Sequence, residues 1–535
     1  MSEDSKFDGD AIKRHARLVE SLRDPACYPH AVGSVKTLET HISSVVLAGD
    51  CAYKLKKPLD LGFVDYTRLA RRRHFCEEEL RLNRRLAPDL YLDVVAITGA
   101  LDAPRIAGDG EALEYAVKMR RFSQEHLLSN LSAHGKLEAG AVETVAREVA
   151  RFHAGVEVAA PDTRFGRPDT VYAPMRENFE QLRPLFEDPE LSSQLERIEH
   201  WTDAAYRRLK PALRERKALR FIRECHGDLH LGNMVMMGDR PLVFDGIEFN
   251  EDLRWIDVVN ELAFLVMDLD ARGASEFASL ALNIYMHESG DYAGLALLRF
   301  YQVYRAMVRA KIACIRLKQT ADDAARNHAI TQYRVYAGLA ARYTRPARPC
   351  VIITHGVTGS GKSTVSKSLA GALGAIWLRS DVERRRVPSD DVQESGVNCG
   401  RYAPKSREAV YDRLLQLARG IIDNAFTVVV DATFLQAAQR QRFQTLAAER
   451  GVPFIIVDVR ADEAELRARV SRRQQAGNDP SEAGLDVLAQ HLRTREPLTS
   501  RESRNAVLVQ SGGPLPIAEI ERRCRPSSQE EFEDT

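Results

Sequence analysis

The 535-residue sequence carries no net charge and contains no long apolar run. Lysine plus arginine number 76, and so do aspartate plus glutamate, so no overall field attracts nucleic acid or an anionic membrane. No stretch of about 18 apolar residues occurs, which is the length a membrane-spanning helix needs. The polar, acidic first residues also lack the apolar segment of an export signal. These absences predict a cytoplasmic protein without a membrane partner.

Paired cysteines are also missing. The eight cysteines are scattered along the chain and form no C-x-x-C pair. Paired spacing is typical of zinc sites, and dense cysteines in a short secreted chain are typical of a disulfide framework. The sequence therefore argues against both and favours a reducing compartment.

A proline-containing connector divides the chain. Residues 344–349 read Thr-Arg-Pro-Ala-Arg-Pro, and two prolines end a preceding helix and favour extended backbone. A chain of this length also exceeds what one hydrophobic core normally holds. We predict a partly disordered N-terminal segment at 1–34, a first domain at 35–343, a linker at 344–349, a second domain at 350–525 and a disordered acidic tail at 526–535.

In the second domain, short apolar runs alternate with helical stretches. This alternation predicts an α/β domain with a parallel sheet, in which ligands bind at the carboxyl ends of the strands. The predicted strands are Val351–Thr354, Ala375–Leu378, Thr427–Val430, Phe454–Val457 and Ala506–Val509.

Residues 356–363 fit the pattern G-x-x-x-x-G-K-[ST] between the first of these strands and a helical segment. Backbone N–H groups of such a loop surround phosphates, its lysine reaches the β/γ-phosphates, and its hydroxyl can hold Mg²⁺. The alternative is a glycine-rich turn before an ordinary helix. No N-K-x-D-like segment for reading guanine is found, so ATP is preferred to GTP. The predicted nucleotide-binding residues are Gly356, Thr358, Gly359, Ser360, Gly361, Lys362, Ser363 and Thr364, with Lys362 also catalytic and Ser363 also a metal ligand.

Two further segments of this domain carry candidate site residues. Asp431 ends a predicted strand and is expected to hold Mg²⁺ through water, although a strand-terminal aspartate can also cap a turn. The segment from Arg379 to Arg384 resembles the acceptor site of small P-loop kinases such as the gluconate, shikimate and polynucleotide 5′-hydroxyl kinase group. The resemblance implies that Asp381 activates an acceptor hydroxyl and that Arg384 binds an anionic substrate. The alternative is a helix start capped by Ser380 or Asp381.

A cluster of arginines precedes a polar stretch at 474–482 that resembles a mobile lid. Arginines of such a lid neutralise charge on the transferred phosphoryl group. A solvated basic helix face is the alternative. The arginines assigned to the nucleotide are Arg469, Arg472 and Arg473.

The first domain begins with β-rich segments and continues with long helical stretches, which predicts an α+β domain. Its most informative segment is His226-Gly-Asp-Leu-His-Leu-Gly-Asn233, followed by a turn and a second apolar run that ends in Asp245. Phosphoryl transfer to a hydroxyl needs a carboxylate for the acceptor proton and oxygen ligands for Mg²⁺. We therefore predict Asp228 as the base and Asn233 and Asp245 as metal ligands. A surface loop capped by Asp and His is the alternative.

The sequences HGDLHLGN and VFDGIEF resemble the catalytic and metal-binding segments of the aminoglycoside phosphotransferase family, relatives of the protein kinases. The resemblance implies a protein-kinase-like bilobal fold and a strand lysine that contacts the α/β-phosphates, here Lys54 rather than Lys56. The partner of this lysine is predicted to be Glu79, on the apolar stripe of the following helix. The alternatives are that Glu78 is the partner or that Glu79 is a solvated helix charge. No clean glycine-rich nucleotide loop is found in this domain.

The second domain as a whole resembles the zeta-toxin and polynucleotide-kinase-like group of P-loop kinases. Together these features predict a bifunctional kinase with ATP and Mg²⁺ at two sites, each transferring the γ-phosphoryl group to a small hydroxylated substrate. One alternative makes one domain a regulatory nucleotide-binding module. Another makes the second domain a nucleic-acid 5′-hydroxyl kinase, which the run Arg384-Arg-Arg386 keeps open. The sequence identifies neither the acceptors nor the oligomeric state.

Overall fold

The computed structural model describes residues 9–62, 64–185, 188–319, 323–387, 404–476 and 484–525. The chain forms two compact units. The first unit comprises Met1–Arg272 and Phe300–Ala340, and the second comprises Gly273–Arg299 and Ala341–Thr535. The domain boundaries inferred from the sequence stay a prediction, and the structure groups Gly273–Arg299 with the second unit rather than with its neighbours in sequence.

The first unit begins with a six-stranded antiparallel sheet of order β1-β2-β3-β6-β4-β5. Strand β3 lies in its interior, between β2 and β6, and helix α2 packs on this sheet. Successive side chains of a strand point to opposite faces of the sheet, so Lys54 and Lys56, two residues apart on β3, lie on the same face. The elements are α1 Gly9–Ser21, β1 Val35–Glu39, β2 Ser43–Ala48, β3 Cys51–Lys56, α2 Leu69–Asn83, β4 Tyr91–Ala100, β5 Ala103–Ile106 and β6 Glu114–Arg120.

The rest of the first unit is mainly helical, with two small antiparallel pairs, β7 with β10 and β8 with β9. The predicted hairpin is the β8–β9 pair, which places Asn233 just before its first strand and Asp245 just after its second. The elements are α3 Leu128–Ala133, α4 Ala139–Gly155, α5 Pro168–Leu182, α6 Pro189–Ala218, β7 Ile222–Glu224, β8 Met234–Met237, β9 Arg240–Val243, α7 Glu251–Arg254, β10 Trp255–Asp257, α8 Val258–Ala271, α10 Leu295–Gln319 and α11 Asp323–Tyr343. The first unit includes α10 only from Phe300 onward and α11 only as far as Ala340.

The second unit contains the predicted parallel sheet, with five strands in the order β12-β13-β11-β14-β15. Its central strand β11 is buried along its whole length. The elements are α9 Ser275–Ser289, β11 Val351–His355, α12 Lys362–Leu373, β12 Ile376–Arg379, α13 Ser380–Arg384, α14 Pro404–Asp423, β13 Val428–Asp431, α15 Ala437–Glu449, β14 Phe454–Arg460, α16 Glu463–Ala476, α17 Leu485–Thr494, α18 Ser500–Arg504, β15 Ala506–Gln510 and α19 Ile517–Cys524.

Helix α9 covers the edge strand β12 of this sheet. The Asn283 amide donates to the carbonyl of Ala375 at 3.0 Å and accepts from the N–H of Trp377 at 2.6 Å. The His287 ring nitrogen Nε2 contacts the Trp377 carbonyl at 2.7 Å. An edge strand otherwise exposes unpaired backbone groups. Side chains of α9 therefore replace the backbone partners that a further strand would supply.

Two sequence predictions concern segments that the structure describes only in part. The predicted lid at 474–482 overlaps the end of α16, but residues 477–483 lie outside the described residues. Of the N-terminal segment 1–34, which was predicted to be partly disordered, residues 1–8 lie outside the described residues and Gly9–Ser21 form α1; the predicted disordered tail at 526–535 also lies outside them. Within the described ranges, no helix combines the length and the apolar character that crossing a bilayer requires.

Candidate active sites

Lys54 lies between two carboxylates of the first unit. Its Nζ donates to Glu79 Oε1 at 2.8 Å and is also paired with Asp245. Glu79 is fully buried on α2. Burial would raise the pKa of Glu79, but Lys54 and Lys56 outweigh burial and lower it to about 2. The predicted pair between Lys54 and Glu79 is thus present, while its role in nucleotide binding stays a prediction.

Lys56 extends the same network. Its Nζ lies 2.5 Å from Glu79 Oε2 and is also paired with Glu248. The Tyr66 hydroxyl donates to Glu248 at 2.7 Å. Both lysines therefore share Glu79, and Lys54 is the one that also reaches Asp245.

Removing the charge of Glu79 is expected to destabilise the first unit strongly. Glu79→Gln leaves two buried ammonium groups with one carboxylate fewer, and breaking a buried pair in this way costs about 3–5 kcal/mol. The control Glu77→Gln, on the same helix, removes only an exposed pair with Arg73, for which we expect less than about 1 kcal/mol. Urea unfolding of both full-length variants checks the difference, and equal midpoints would contradict it.

Asp228 is held by two side chains of its own loop. Asn233 Nδ2 donates to Asp228 Oδ2 at 2.9 Å. His230 Nδ1 accepts from the N–H of Gly232 at 3.0 Å, which leaves its Nε2 to face Asp228 Oδ2 at 3.3 Å. Burial would raise the pKa of Asp228, but His230 and Arg309 outweigh it and hold that pKa well below its usual range. The predicted base is therefore ionised near neutral pH, beside a predicted metal ligand.

The support of this loop comes from a residue that the sequence analysis missed. Buried Glu261 accepts from the backbone N–H of His226 at 3.0 Å and contacts His153 Nε2 at 2.8 Å. It also accepts from the N–H of Gly227 at 2.5 Å. A glutamate within the mainly apolar helix α8 was the available signal, because a carboxylate on a buried helix needs partners.

In the second unit, the loop after β11 has the backbone that its glycines permit. Gly356 and Gly361 have φ angles of 149° and 91°. A Cβ on Gly361 would lie 2.7 Å from Ser511 Oγ, and one on Gly356 would lie 2.6 Å from the Val459 carbonyl oxygen. A side chain at either position would therefore collide with its neighbours. Helix α12 begins directly after this loop, at Lys362.

Three side chains lie against the loop. Lys362 Nζ donates to the Val357 carbonyl at 2.8 Å, and Arg469 Nη1 lies 3.5 Å from the carbonyl of Gly359. The N–H of Thr358 donates to His491 Nδ1 at 3.4 Å. His491, on α17, was not predicted, because a histidine in a surface helix gives no local signal of a distant contact. Of the other predicted arginines, Arg472 is exposed, and the side chain of Arg473 lies outside the described set.

The acidic residues of the second unit have different surroundings. Asp431 ends β13 and accepts from Trp377 Nε1 at 3.2 Å. Burial raises the pKa of Asp431, although Lys362 opposes the shift. Asp381 accepts from Arg379 Nη2 at 2.7 Å; burial would raise its pKa, but Arg379 outweighs burial and lowers it. The predicted base Asp381 therefore carries an arginine partner, and the predicted metal ligand Asp431 does not.

Stability is expected to fall in mild acid because of buried neutral histidines. Burial is the main cause that lowers the pKa of His287 and of His491 to about 4, from 6.5. Between these pH values the unfolded chain binds more protons than the folded chain does. The contribution of the two neutral histidines to the free energy of unfolding is therefore fully present above pH 6.5 and is lost as the pH falls towards 4. Each histidine contributes at most about 3 kcal/mol to this loss. Thermal unfolding from pH 7.5 to 4.5 should show a smaller drop for His287→Asn than for the control His200→Asn, at an exposed position. An equal drop would contradict the assignment.

Comparison with known proteins identifies two families along the chain. The model of a family described as "Phosphotransferase enzyme family" matches residues 66–301, and that of a family described as "AAA domain" matches residues 351–498. Among solved structures, a choline/ethanolamine kinase family protein from Mesorhizobium loti is 12% identical, with a TM-score of 0.38, covering 62% of this chain and 99% of that chain. A gluconokinase from Sinorhizobium meliloti 1021 is 24% identical, with a TM-score of 0.22, covering 33% of this chain and 90% of that chain.

The chain is thus a two-domain protein in which a kinase-like phosphotransferase domain precedes an α/β P-loop domain, as the sequence predicted. "Uncharacterized protein Rv2004c" of Mycobacterium tuberculosis (strain ATCC 25618 / H37Rv) is 30% identical over 460 residues, which are 83% of this chain and 89% of that protein. "Uncharacterized protein Mb2027c" of Mycobacterium bovis (strain ATCC BAA-935 / AF2122/97) gives the same values. The chain belongs to the family of these mycobacterial proteins.

Proposed function

We propose that the protein is a bifunctional ATP-dependent phosphotransferase in which each domain transfers the γ-phosphoryl group of MgATP to a hydroxyl of a small metabolite. The observation that carries the proposal is the arrangement around Asp228. An ionised carboxylate, held by Asn233 and His230, occurs in the same unit as a lysine that is paired with Asp245.

In the first domain, the acceptor hydroxyl would lie against Asp228. The acceptor oxygen forms a bond to the γ-phosphorus, the bond from that phosphorus to the β–γ bridging oxygen breaks, and the acceptor proton passes to Asp228. Asn233 and Asp245 offer the oxygen donors that Mg²⁺ prefers. The ion, when bound, neutralises charge on the phosphates. Lys54 would bind the α/β-phosphates while Glu79 holds it in place.

In the second domain, the loop 356–364 would bind the phosphates through its backbone N–H groups and Lys362. Ser363 and Asp431 would offer oxygen donors for Mg²⁺ in this domain. Asp381 would accept the acceptor proton, Arg384 would bind an anionic group of the acceptor, and Arg469 would neutralise charge on the transferred group.

The surroundings of Arg386 argue against the alternative that the second domain acts on nucleic acid. This arginine donates to the Glu383 carboxylate at 2.5 Å and to the Glu288 carbonyl at 3.2 Å. A side chain that is bonded in this way is not free to bind phosphates of a nucleic acid. The run Arg384-Arg-Arg386 is therefore not a simple basic patch, and a small acceptor is the better proposal.

The test is a panel of hydroxylated metabolites incubated with the full-length protein and MgATP, with products detected by mass spectrometry. We expect at least one singly phosphorylated product together with an equal amount of ADP. ADP without a phosphorylated product would favour the regulatory alternative for one domain. Absence of both across sugars, amino alcohols and nucleosides would contradict the proposal.

A further inference from the structure

The second unit contains a cavity of about 520 Å³ that the proposed function does not use. Its lining includes Gly374 and Thr427, which lie just before the first residues of β12 and β13, and connector residues before β11. The loop 356–363 follows the opposite end of β11. Since five residues of a strand span about 17 Å, a ligand in this cavity cannot reach the P-loop. The cavity is therefore separate from the proposed nucleotide site.

Positive charge dominates the lining, which carries four arginines and one glutamate. The glutamate, Glu521, already pairs with Arg525 at 2.9 Å. The other three arginines are Arg299, Arg345 and Arg348, and none of them has a carboxylate within ion-pair distance among the residues that the structure describes. The cavity thus has an excess of cationic side chains over anionic ones.

Arg299 is a half-buried cation of the lining whose described partners are neutral. Its Nη2 donates to the Ala425 carbonyl at 2.8 Å, and its guanidinium lies 4.5 Å from the centre of the Phe426 ring. Burial lowers the pKa of Arg299. A cation removed from water and given only neutral partners is destabilised, and an anion beside it would offset that cost.

A simpler explanation is that these arginines complement helix C-termini. Helices α12, α14 and α19 all end near the cavity, at Leu373, Asp423 and Cys524. Each end carries roughly half a negative charge, so together they offset only about half of three unpaired guanidinium charges. The side chain of Arg299 donates to such an end at Ala425, whereas the exposed guanidinium groups of Arg345 and Arg348 bond to none of the described carbonyls. The helix ends therefore explain Arg299 and leave two arginines unexplained.

We propose that this cavity binds a small metabolite that carries phosphate groups with at least two negative charges. The planar guanidinium forms two parallel hydrogen bonds to a phosphate, which makes arginine the common choice for such ligands. The volume is in the usual range for a small-molecule site and exceeds that of a single ion. Arg345 and Arg348 on the connector would bind one phosphate group, and Arg299 would contact the ligand from the opposite wall.

The experiment is isothermal titration of full-length protein with fructose 1,6-bisphosphate as the probe, in saturating AMP-PNP and Mg²⁺ so that the proposed nucleotide sites are occupied. We expect one bound probe per chain for the unaltered protein. The double variant Arg345→Ala/Arg348→Ala should weaken binding by about 100-fold, since each charged hydrogen-bonding group contributes about tenfold or more. The control Arg207→Ala/Arg208→Ala removes the same charge from exposed positions and should bind as the unaltered protein does.

Each other outcome counts against the site. No binding by the unaltered protein, or equal weakening in both double variants, would overturn the proposal. A parallel titration without AMP-PNP completes the test: binding that occurs only in its absence would place the probe in a nucleotide site and would overturn the proposal as well. Thermal unfolding of the connector variant should match that of the unaltered protein, because both arginines are exposed. The proposed kinase activities do not enter this test, so it can fail while they stand.

Discussion

Asp228→Asn is expected to reduce phosphoryl transfer by the first domain by about 10²–10⁴-fold, the range for loss of a general base. The substitution keeps the size of the side chain and an oxygen that can still accept from Asn233, whose Nδ2 now lies 2.9 Å from Asp228 Oδ2. It removes the site that accepts the proton. The fall should therefore appear in kcat, whereas KM for ATP should change little because Lys54 and Asp245 are untouched.

The matched control is Asp239→Asn, an exposed aspartate in the turn between β8 and β9. It belongs to the same hairpin region but lies outside the proposed site, so activity should be unchanged. Single-turnover assays with the acceptor found by the metabolite panel would measure both variants. Full activity of Asp228→Asn would contradict the assigned base, and unchanged thermal unfolding would exclude misfolding as the cause of a loss.

The sequence predicted those parts of the fold that have a local pattern. Buried parallel strands are short continuous apolar runs, so Ala375–Leu378 was predicted where the structure has Ile376–Arg379. The phosphate loop was equally visible, because positive φ angles demand glycine at fixed positions, including Gly356 and Gly361. Such features depend on neighbours in sequence, so their positions can be predicted from the sequence to within one or two residues.

Contacts between distant segments left no such pattern. Asn283 and His287 are ordinary polar residues of a helix when read locally, yet they bond to β12 some 90 residues later. Asp257 caps α8 at Val259 and pairs with Arg216 at 2.7 Å, so its carboxylate supports the start of this helix. The loop amides are bonded instead to Glu261, one turn further along α8. Only the tertiary structure distinguishes these two acids.

The two lysines of β3 show a different limit. A strand repeats every two residues, so Lys54 and Lys56 point to the same face and the sequence cannot rank them. In the structure both pair with Glu79, and they differ in their second partner, which is Asp245 for Lys54 and Glu248 for Lys56. The choice of Lys54 therefore depends on where Asp245 lies, which is a long-range property of the fold.

Lys362→Ala is expected to reduce transfer by the second domain by about 10²–10³-fold, the range for loss of one group that stabilises transition-state charge. In the structure its Nζ donates to the Val357 carbonyl, so the amine is already held over the loop where the β/γ-phosphates would bind. Binding of ATP should weaken as well, because the lysine also contacts the ground-state phosphates. Product formation on the panel and ATP titration by calorimetry measure the two effects.

The control is Lys367→Ala, an exposed lysine on the same helix α12, which should leave both quantities unchanged. Activity of the first domain should persist in Lys362→Ala, and activity of the second domain should persist in Asp228→Asn, because each substitution alters only one of the two proposed sites. If either single change abolished both activities, the assumption of two independent sites would be wrong. Unimpaired ATP binding by Lys362→Ala would mean that the loop at 356–363 does not hold the triphosphate.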